Sequence, residues 1–524
     1  MEYKEFSPES LMMSYGYDAS EHQGSIKCPL YQTSTFEFKS AEEGKAFFEI
    51  AYGIREKRPD EKLGMIYSRL NNPTLDLAEK RLAAYEGADE ALFFSSGMGA
   101  ISTTVFTFLK PGDILLYASP VYGGTEHLFH NALPAFNIGI VKFYAGETQE
   151  TIMERVSKEF PGKKPKVIYI EVPGNPTNSL IDIAMCARMA EHYKEGDCKP
   201  LLVVDNTFLG PVFQHPLKHG ADISLYSATK FIGGHSDLVG GACVGHTQAV
   251  SEIRVMRSFL GSQMDPHSAW LVLRSLETLK IRMEQQAFGA AKVAKYLEKH
   301  PKIEKVSYLG LLKEGEQGKE IYDRQCLSSG SMISFYIKGG EKEAYNFLNN
   351  IHLFKLAVSL GSTESLAEHP ATMTHIDVQE DEKKILGINE QLVRLSIGLE
   401  NPDDLIKAID AVKNWVVYFK RGDFSTCDAP RPGRPKTVTT PEIIDQIHEI
   451  ILKDNRISAN SIAEQLGISR ERFGSIIHED LDMRKLSAKW VPKCLNMDQK
   501  RQRCQSSEQI WNFFGAIQMI SCGN

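Results

Sequence analysis

Two stretches of the chain place a reactive side chain directly after an apolar run. Residues 201–205 read L-L-V-V-D, and residues 224–230 read S-L-Y-S-A-T-K. Such apolar runs are typical of buried strands in a parallel sheet. A lysine desolvated at the end of a strand loses its proton more readily and becomes a nucleophilic amine. The sequence therefore predicts the amine of Lys230 and the carboxylate of Asp205 at one edge of a sheet.

An amine and a carboxylate in this arrangement suit one cofactor, pyridoxal phosphate (PLP). An aspartate beside the ring nitrogen keeps that nitrogen protonated, so that the ring accepts electrons from a substrate carbanion. Lys230 would hold the cofactor, and the hydroxyls of Ser227 and Thr229 would donate to its phosphate. Taken alone, the stretch Ser-x-Thr-Lys also fits a surface lysine that follows a strand.

The longer run at 227–237, S-A-T-K-F-I-G-G-H-S-D, resembles the lysine motif of the Cys/Met-metabolism family of PLP enzymes. That family includes cystathionine γ-lyases and γ-synthases, methionine γ-lyases and O-acetylhomoserine sulfhydrylases. The resemblance implies an α/β protein of PLP-dependent fold type I, with a mostly parallel sheet in the cofactor domain and a small α+β C-terminal domain. It also implies Lys230, Asp205 and Tyr122 as the catalytic residues.

Residues 67–74, Y-S-R-L-N-N-P-T, resemble the family motif Y-S-R-x-x-N-P-T. A phenol and an arginine fork suit the recognition of a phosphate. The resemblance implies that Tyr67 and Arg69 serve the cofactor of a neighbouring subunit, and hence a homo-oligomer, a tetramer built from dimers. It also implies that the extended arm at 24–36 lies across a neighbouring subunit. A lone Tyr-Ser-Arg would fit an ordinary surface turn better.

A second phosphate-binding element is predicted at 95–100, where S-S-G-M-G-A follows the apolar run 91–94 and opens a helix. The N–H groups of Gly97 and Met98 would lie at the positive end of that helix, where a phosphate binds well. A Gly-containing turn is a weak signal alone, because most such turns only change the direction of the chain. Its place upstream of the lysine motif favours the phosphate site.

Two further strand ends carry candidate residues. Tyr122 follows the run 114–117, and the resemblance implies that its ring stacks on the cofactor and that its phenol assists departure of the γ-substituent. Many methionine γ-lyases carry Cys two residues after this Tyr, whereas this chain has Gly124. Asn175, in E-V-P-G-N-P-T, is implied to donate to the cofactor ring oxygen. A half-buried strand-end Tyr and a generic Asn-Pro turn are the plain alternatives.

Substrate contacts are predicted in the C-terminal third of this region. Residues 358–366 and 369–375 resemble the family's C-terminal signature, and Arg394 alternates with apolar residues on a predicted strand. A buried arginine needs an anion, and the substrate α-carboxylate fits. Taken alone, an arginine on a strand is more often an edge or salt-bridge residue. The resemblance adds Ser359 as a second contact and Glu364 for the distal amino group of cystathionine. No Cys or Asp at ligand spacing supports a metal site.

Composition limits the class of protein. The 524 residues suggest two to four units, and 24% charged residues is ordinary for a globular protein. The start of the chain lacks a basic and apolar leader, and no run is long enough to cross a bilayer, so a cytoplasmic protein without membrane contact is expected. Nine Cys without a C-x-x-C pair argue against a disulfide framework.

The family resemblance stops near residue 418, and the tail has a different character. It carries 16 Lys and Arg against 13 Asp and Glu, whereas the rest has 44 against 54. A basic linker with Arg434 precedes a helix, a turn at Gly467 and a second helix at 470–478, a helix-turn-helix pattern. The tail resembles the DNA-binding part of mariner-type transposases. Residual DNA binding and a captured segment without a role both fit, and the low net charge favours the latter.

The sequence thus predicts an arm at 1–64, a PLP domain at 65–275, a small domain at 276–418 and an all-α helix-turn-helix tail at 419–524. Helices are expected at 41–58 and near 266–299. The predicted function is γ-elimination on a sulfur amino acid, cystathionine or methionine, to 2-oxobutanoate, ammonia and a thiol. γ-Replacement on an activated homoserine, and a DNA-binding fusion with a passive PLP fold, are the alternatives.

Overall fold

The computed structural model describes residues 6–51, 53–59, 61, 64–376, 378–420, 446–447, 449–450, 459–466, 483–486 and 489–492. The chain divides into two compact units, Met1–Asp423 and Phe424–Asn524. Within the described ranges, no helix combines the length and apolar character that a membrane crossing requires. The domain boundaries predicted inside the first unit, at 64, 275 and 418, remain predictions.

The first unit alternates strands and helices along most of its length. Its α-helices are α1 Pro8–Ser14, α2 Ala41–Ala51, α3 Pro73–Glu86, α4 Gly97–Phe108, α5 Gly123–His127, α6 Gln149–Glu159, α7 Ile183–His192, α8 Gly210–Phe213, α9 Thr247–Leu260, α10 Pro266–Leu276, α11 Leu279–Glu298, α12 Lys319–Gln325, α13 Glu341–Asn350, α14 Glu380–Leu386 and α15 Pro402–Lys420. Short 3₁₀-helices lie at Ala19–His22, Leu133–Phe136, Pro216–His219, Leu309–Leu311 and Pro370–Thr372, and a π-helical turn at Leu128–Ala132.

Two sheets form the framework. The strands are β1 Glu90–Phe94, β2 Ile114–Ser119, β3 Gly139–Tyr144, β4 Pro165–Glu171, β5 Leu201–Asp205, β6 Ile223–Ser227, β7 Gly241–Gly245, β8 Ile303–Ser307, β9 Met332–Ile337, β10 Lys355–Leu356, β11 Leu366–Glu368 and β12 Leu392–Ser396. The larger sheet has the order β1-β7-β6-β5-β4-β2-β3, and only β7 runs antiparallel to its neighbours. The smaller sheet has the order β10-β11-β12-β9-β8. The predicted α/β fold with a mostly parallel sheet is confirmed.

The central strands are apolar throughout because helices cover both faces of the larger sheet. Along β4, Ile168 and Ile170 pack into one apolar cluster, while Val167 and Tyr169 pack into another on the opposite face. All four side chains are fully buried. A strand buried on both faces cannot alternate apolar and polar residues, so polar groups collect at its end. This arrangement brings the chemically active residues to one edge of the sheet.

Two predicted helices are shorter than expected. The helix predicted at 41–58 ends at Ala51, where Arg55 turns back to ion pairs with Glu49 and Glu61. The single helix predicted near 266–299 is divided between Leu276 and Leu279. Side-chain hydrogen bonds replace the helical ones at these breaks, and the simple 3.6-residue period does not reveal them.

In the second unit, the described residues include helix α16, Ala459–Gln465, and a hairpin of β13, Met483–Leu486, with β14, Lys489–Pro492. The first helix of the predicted pair is therefore present. The turn at Gly467, the second helix at 470–478 and the linker with Arg434 lie outside the described residues. The prediction of an all-α tail is wrong, because the two strands pair through their backbones as a hairpin. The helix-turn-helix motif remains a prediction.

Candidate active site

A cavity of about 260 Å³ lies at the carboxyl ends of the parallel strands. Most of the predicted site residues line it, namely Gly97, Met98, Tyr122, Asn175, Asp205, Ser227, Thr229 and Lys230. They come from the ends of β1, β2, β4, β5 and β6, which are far apart in sequence. The topology of the sheet therefore brings these side chains together.

Lys230 follows β6 by three residues and extends into the cavity. Its Nζ donates to Ser359 Oγ at 3.0 Å. Burial, reinforced by the nearby charge of Arg394, lowers the pKa of the Lys230 amine to about 8, and Glu368 opposes the shift. An amine with this pKa is partly neutral near physiological pH and is therefore an available nucleophile and base.

Asp205 ends β5 and is buried. Its Oδ1 accepts from the Thr207 backbone N–H at 3.0 Å and from the Thr207 hydroxyl at 2.6 Å, and its Oδ2 lies 3.4 Å from the Tyr169 hydroxyl. Burial raises the pKa of Asp205, and these hydrogen bonds oppose the shift. Within the described part of the chain, no Lys, Arg or His forms an ion pair with it. A buried carboxylate without a cation is suited to a positively charged ligand.

Small residues shape one wall of the cavity at the start of α4. The Ser96 hydroxyl accepts from Gly99 N at 2.9 Å and so caps the helix, while the N–H groups of Gly97 and Met98 have no acceptor within an α-helix. A Cβ on residue 97 would lie 3.1 Å from the Ser227 side chain. Glycine at this position therefore keeps the space between α4 and β6 open. This wall is suited to an anion.

Thr229 lines the cavity, and its hydroxyl also makes two hydrogen bonds within the protein. It donates to Gly240 O at 3.2 Å and accepts from Gly240 N at 2.9 Å. These bonds tie the segment that carries Lys230 to the start of β7. Any contribution of Thr229 to ligand binding would come in addition to this structural role.

Arg394 lies behind the cavity on β12. Its Nη1 is 2.9 Å from Glu368 Oε1 and donates to Asn175 Oδ1 at 2.8 Å, and its Nη2 donates to Ser359 O at 3.0 Å. Both charged side chains of this ion pair are almost completely buried. The protein thus supplies an anion of its own, Glu368, which agrees with the salt-bridge alternative for an arginine on a strand, although the sequence analysis did not identify this partner. Among the described residues, Arg394 Nε still has no hydrogen-bond partner, although it is buried.

Glu364 is not part of the cavity wall. Its carboxylate accepts from Thr363 Oγ1 at 3.2 Å and forms a short contact with Ser236 Oγ. The hydrogen bonds from these hydroxyls, together with the charge of His235, hold the pKa of Glu364 below its usual range despite partial burial. Glu364 is therefore an oriented carboxylate on the segment that leads into β11.

Tyr67 and Arg69 do not reach the cavity of their own chain. The Tyr67 side chain is 41% exposed, and the Arg69 guanidinium lies 5.9 Å from its ring centroid. Arg69 Nη1 donates to the carbonyl of Ser258. The two residues thus form a separate group on the surface of one subunit.

Comparisons with known proteins identify the family to which this chain belongs. Residues 9–412 match the family model described as Cys/Met metabolism PLP-dependent enzyme. The chain belongs to this family. It is 40% identical over 389 residues to an L-methionine gamma-lyase of Fusobacterium nucleatum subsp. polymorphum, covering 74% of this chain and 93% of that protein. It is 41% identical over 358 residues to the cystathionine gamma-lyase of Homo sapiens, covering 68% and 85%.

Solved structures agree on the fold of the family. A cystathionine gamma synthase from Xanthomonas oryzae pv. oryzae, in complex with aminoacrylate and cysteine, superposes with a TM-score of 0.68 at 32% identity. The superposition covers 78% of this chain and 98% of that one. The family match ends at residue 412, so the second unit lies outside it.

The residues present in this family member fit PLP. No cation among the described residues pairs with the buried carboxylate of Asp205, Lys230 offers an amine of lowered pKa, and the start of α4 offers backbone N–H groups. The Asn175 amide oxygen accepts from Arg394, which leaves the amide nitrogen as its donor toward the cavity. Asp205 would meet the ring nitrogen of the cofactor, and Lys230 would meet its aldehyde carbon. The start of α4 would meet the phosphate, and Asn175 the ring oxygen.

Sequence reasoning missed three residues at or next to the cavity of this chain. Thr207 binds Asp205, Glu368 pairs with Arg394, and Glu171 lines the cavity between them. Glu171 follows the apolar run V-I-Y-I as Asp205 follows L-L-V-V, so the same strand-end signal was available for it. Glu368 gave no comparable signal, because its partner is distant in sequence.

Replacing Gly124 by Ala tests how closely the ring of Tyr122 is held. A Cβ on residue 124 would lie 2.6 Å from the Tyr122 ring and 3.1 Å from Met98 Sδ, so the ring would have to move. We expect kcat/KM to fall by roughly 10-fold or more, because small misplacements of a catalytic group are costly. Gly64→Ala, where a Cβ would meet nothing within 4 Å, is the control. Equal rates for the two variants would show that Tyr122 tolerates displacement.

Proposed function

We propose that this chain is a PLP-dependent carbon–sulfur lyase that performs γ-elimination on cystathionine or methionine. Together with water, the reaction yields 2-oxobutanoate, ammonia and a thiol, which is cysteine or methanethiol. The observation that carries the proposal is the meeting of Lys230, with its lowered pKa, and the cation-free carboxylate of Asp205 in one cavity. Two relatives at about 40% identity are named for these substrates, an L-methionine gamma-lyase and a cystathionine gamma-lyase.

Bound PLP withdraws electrons from the substrate and so makes its α- and β-protons acidic. Lys230 would hold the cofactor and then, as a free amine, take the proton from the substrate Cα. Ser359 Oγ lies 3.0 Å from the Lys230 Nζ and would hold the amine in place between these tasks. Asp205 would keep the ring nitrogen protonated.

Arg394 would bind the substrate carboxylate. Its buried Nε has no partner among the described residues, and an unpaired buried donor of this kind is costly unless a ligand satisfies it. Tyr122, whose side chain is 47% exposed at the cavity, would donate a proton to the departing sulfur. Glu364 would bind the distal ammonium group if cystathionine is the substrate.

γ-Replacement on an activated homoserine is the alternative within the family. It would use the same lysine, aspartate and arginine, and the solved γ-synthase structures share the fold. The lyases are the more similar relatives, at 40–41% identity against 32% for that synthase structure. Elimination is therefore the function we propose.

Release of 2-oxobutanoate by the purified full-length protein tests this function. L-Cystathionine and L-methionine would be compared at equal concentration, with the thiol identified in each case. Faster release from cystathionine would favour a cystathionine γ-lyase and a role for Glu364. Faster release from methionine would favour a methionine γ-lyase despite Gly124. If neither substrate releases 2-oxobutanoate and the protein converts an activated homoserine instead, the proposal is contradicted.

The substrate is a small-molecule sulfur amino acid, and we propose a homo-oligomer built from dimers as the working form. Tyr67 and Arg69 lie outside the cavity of their own chain, and they would complete the site of the neighbouring subunit. On this proposal an isolated subunit lacks part of its phosphate-binding site. A tetramer and a cytoplasmic location remain predictions.

Mixing two inactive variants tests whether the site is shared. Refolding Arg69→Ala together with Lys230→Ala should restore up to about a quarter of wild-type activity, because half of the dimers are mixed and each has one intact site. Asp205→Asn mixed with Lys230→Ala is the control, since both residues belong to one subunit's site. No recovery in the first mixture, with dimers present, would place Arg69 in its own subunit's site or outside any site.

DNA binding by the tail remains a prediction. Residues 419–524 carry a small excess of Lys and Arg, and only parts of this segment are described. A gel-shift assay of the full-length chain at rising salt, compared with a chain ending at residue 423, would detect it. If the DNA migrates equally with both proteins, the tail does not bind DNA.

A further inference from the structure

Glu171 is a fully buried carboxylate at the end of β4 that connects two loops of the cavity. Its Oε2 accepts from the backbone N–H of Tyr122 at 2.7 Å, and its Oε1 accepts from the backbone N–H of Asn175 at 3.1 Å. We propose that Glu171 is a positioning residue that fixes Tyr122 and Asn175 and controls the charge at Asp205. This inference rests on the proposed function of the cavity.

The bond to Tyr122 holds the backbone N–H of this residue, while its carbonyl accepts from Thr125 N at 2.8 Å and from Glu126 N at 3.0 Å. Its side chain is 47% exposed, and it precedes α5 without a side-chain cap of its own. The hydrogen bond to Glu171 therefore fixes the backbone from which the ring projects into the cavity.

The bond to Asn175 extends the connection to the carboxylate-binding arginine. The Asn175 side-chain oxygen accepts from Arg394 Nη1 at 2.8 Å. Glu171 thus holds the backbone of a residue whose side chain orients Arg394. One carboxylate accordingly links the group proposed for the leaving sulfur with the group proposed for the substrate carboxylate.

Glu171 also lies next to Asp205. The two residues are paired across the neighbouring parallel strands β4 and β5, and both are completely buried. Burial and the charge of Asp205 raise the pKa of Glu171, while the two N–H donors and Arg394 oppose the shift. Two like charges in one buried site couple their protonation, so removing one makes the other easier to ionise.

Two substitutions separate the charge of Glu171 from its position. Glu171→Gln keeps the size but removes the charge and one acceptor, whereas Glu171→Asp keeps the charge but shortens the reach. Glu86→Gln is the matched control, because Glu86 is also fully buried and has one partner, His215, outside the cavity. Thermal unfolding would establish that each variant is folded.

The readouts are kcat, KM and the pH titration of the visible absorption band of the bound cofactor. For Glu171→Gln we expect kcat to fall about 10-fold or more, because the bonds that fix Tyr122 and Asn175 are weakened. We expect the midpoint of the band titration to move down by about one pH unit, because the negative charge that Glu171 shares with Asp205 through their coupled protonation is reduced. For Glu171→Asp we expect a similar loss of kcat without the shift. Glu86→Gln should change neither.

A Glu171→Gln protein with an unchanged titration and kcat within about twofold of wild type would overturn the inference, as would equal effects in Glu86→Gln. If Glu171→Gln does not fold, the loss of kcat in Glu171→Asp decides the positioning role. A wild-type protein with the cofactor band but without turnover would overturn the proposed function alone, because the titration still tests Glu171. A wild-type protein that takes up no cofactor would overturn both.

Discussion

Replacing Lys230 by Ala is expected to lower 2-oxobutanoate release by at least about 10³-fold, because no other group in the cavity offers a covalent anchor and a base at one atom. Among the described residues that line the cavity, Lys230 is the only lysine. Its lowered pKa, about 8, results from burial and from the charge of Arg394, so an external amine in solution would not reproduce its reactivity fully. The visible absorption band of the lysine-bound cofactor should disappear in the same variant.

Lys218→Ala, at an exposed lysine of the same unit, is the control for this experiment. It should leave both the rate and the absorption band unchanged. Lys230→Arg is a second useful variant, since it keeps a positive charge but cannot supply a neutral amine at neutral pH. Activity of Lys230→Ala within about tenfold of wild type would remove the lysine from the mechanism.

Replacing Arg394 by Leu is expected to affect substrate binding and stability together. The substrate carboxylate would lose its bidentate partner, and we expect kcat/KM to fall by roughly 10²-fold or more. The buried carboxylate of Glu368 would lose its cation, and breaking such a pair costs about 3–5 kcal/mol of stability. Steady-state kinetics and the thermal unfolding midpoint measure the two effects.

The double variant Arg394→Leu with Glu368→Gln separates these effects. It removes the unpaired charge, so most of the stability should return. The loss of kcat/KM should remain, because no cation is left to bind the substrate carboxylate. Recovery of kcat/KM in the double variant would mean that Arg394 acts only as the partner of Glu368.

The sequence predicted the fold and the cavity well because both depend on local patterns. Apolar runs ending in polar residues identified β4, β5 and β6, and the parallel order of the sheet then brought Lys230 and Asp205 together. The sequence analysis expected the substrate to supply the anion for Arg394, but β11 pairs with β12 and places an additional anion, Glu368, beside the arginine. A contact between distant strands depends on their register, which no local pattern gives.

Side-chain hydrogen bonds limited the prediction elsewhere. The division between α10 and α11 depends on Arg282, whose Nη2 donates to the Ser275 carbonyl at 3.0 Å and whose Nε donates to Thr278 Oγ1 at 3.2 Å. The roles that we propose for Tyr67 and Arg69 would depend on a second subunit. Neither kind of information is contained in the periodicity of a single sequence.

The site of cofactor attachment tests the central claim most directly. The full-length protein would be incubated with PLP, reduced with borohydride to make the bond to the amine permanent, digested and analysed by peptide mass spectrometry. We predict the modification on Lys230, within the stretch S-A-T-K-F-I-G-G-H. Stoichiometric modification of another lysine, with Lys230 unmodified, would contradict the assignment of this cavity as the active site.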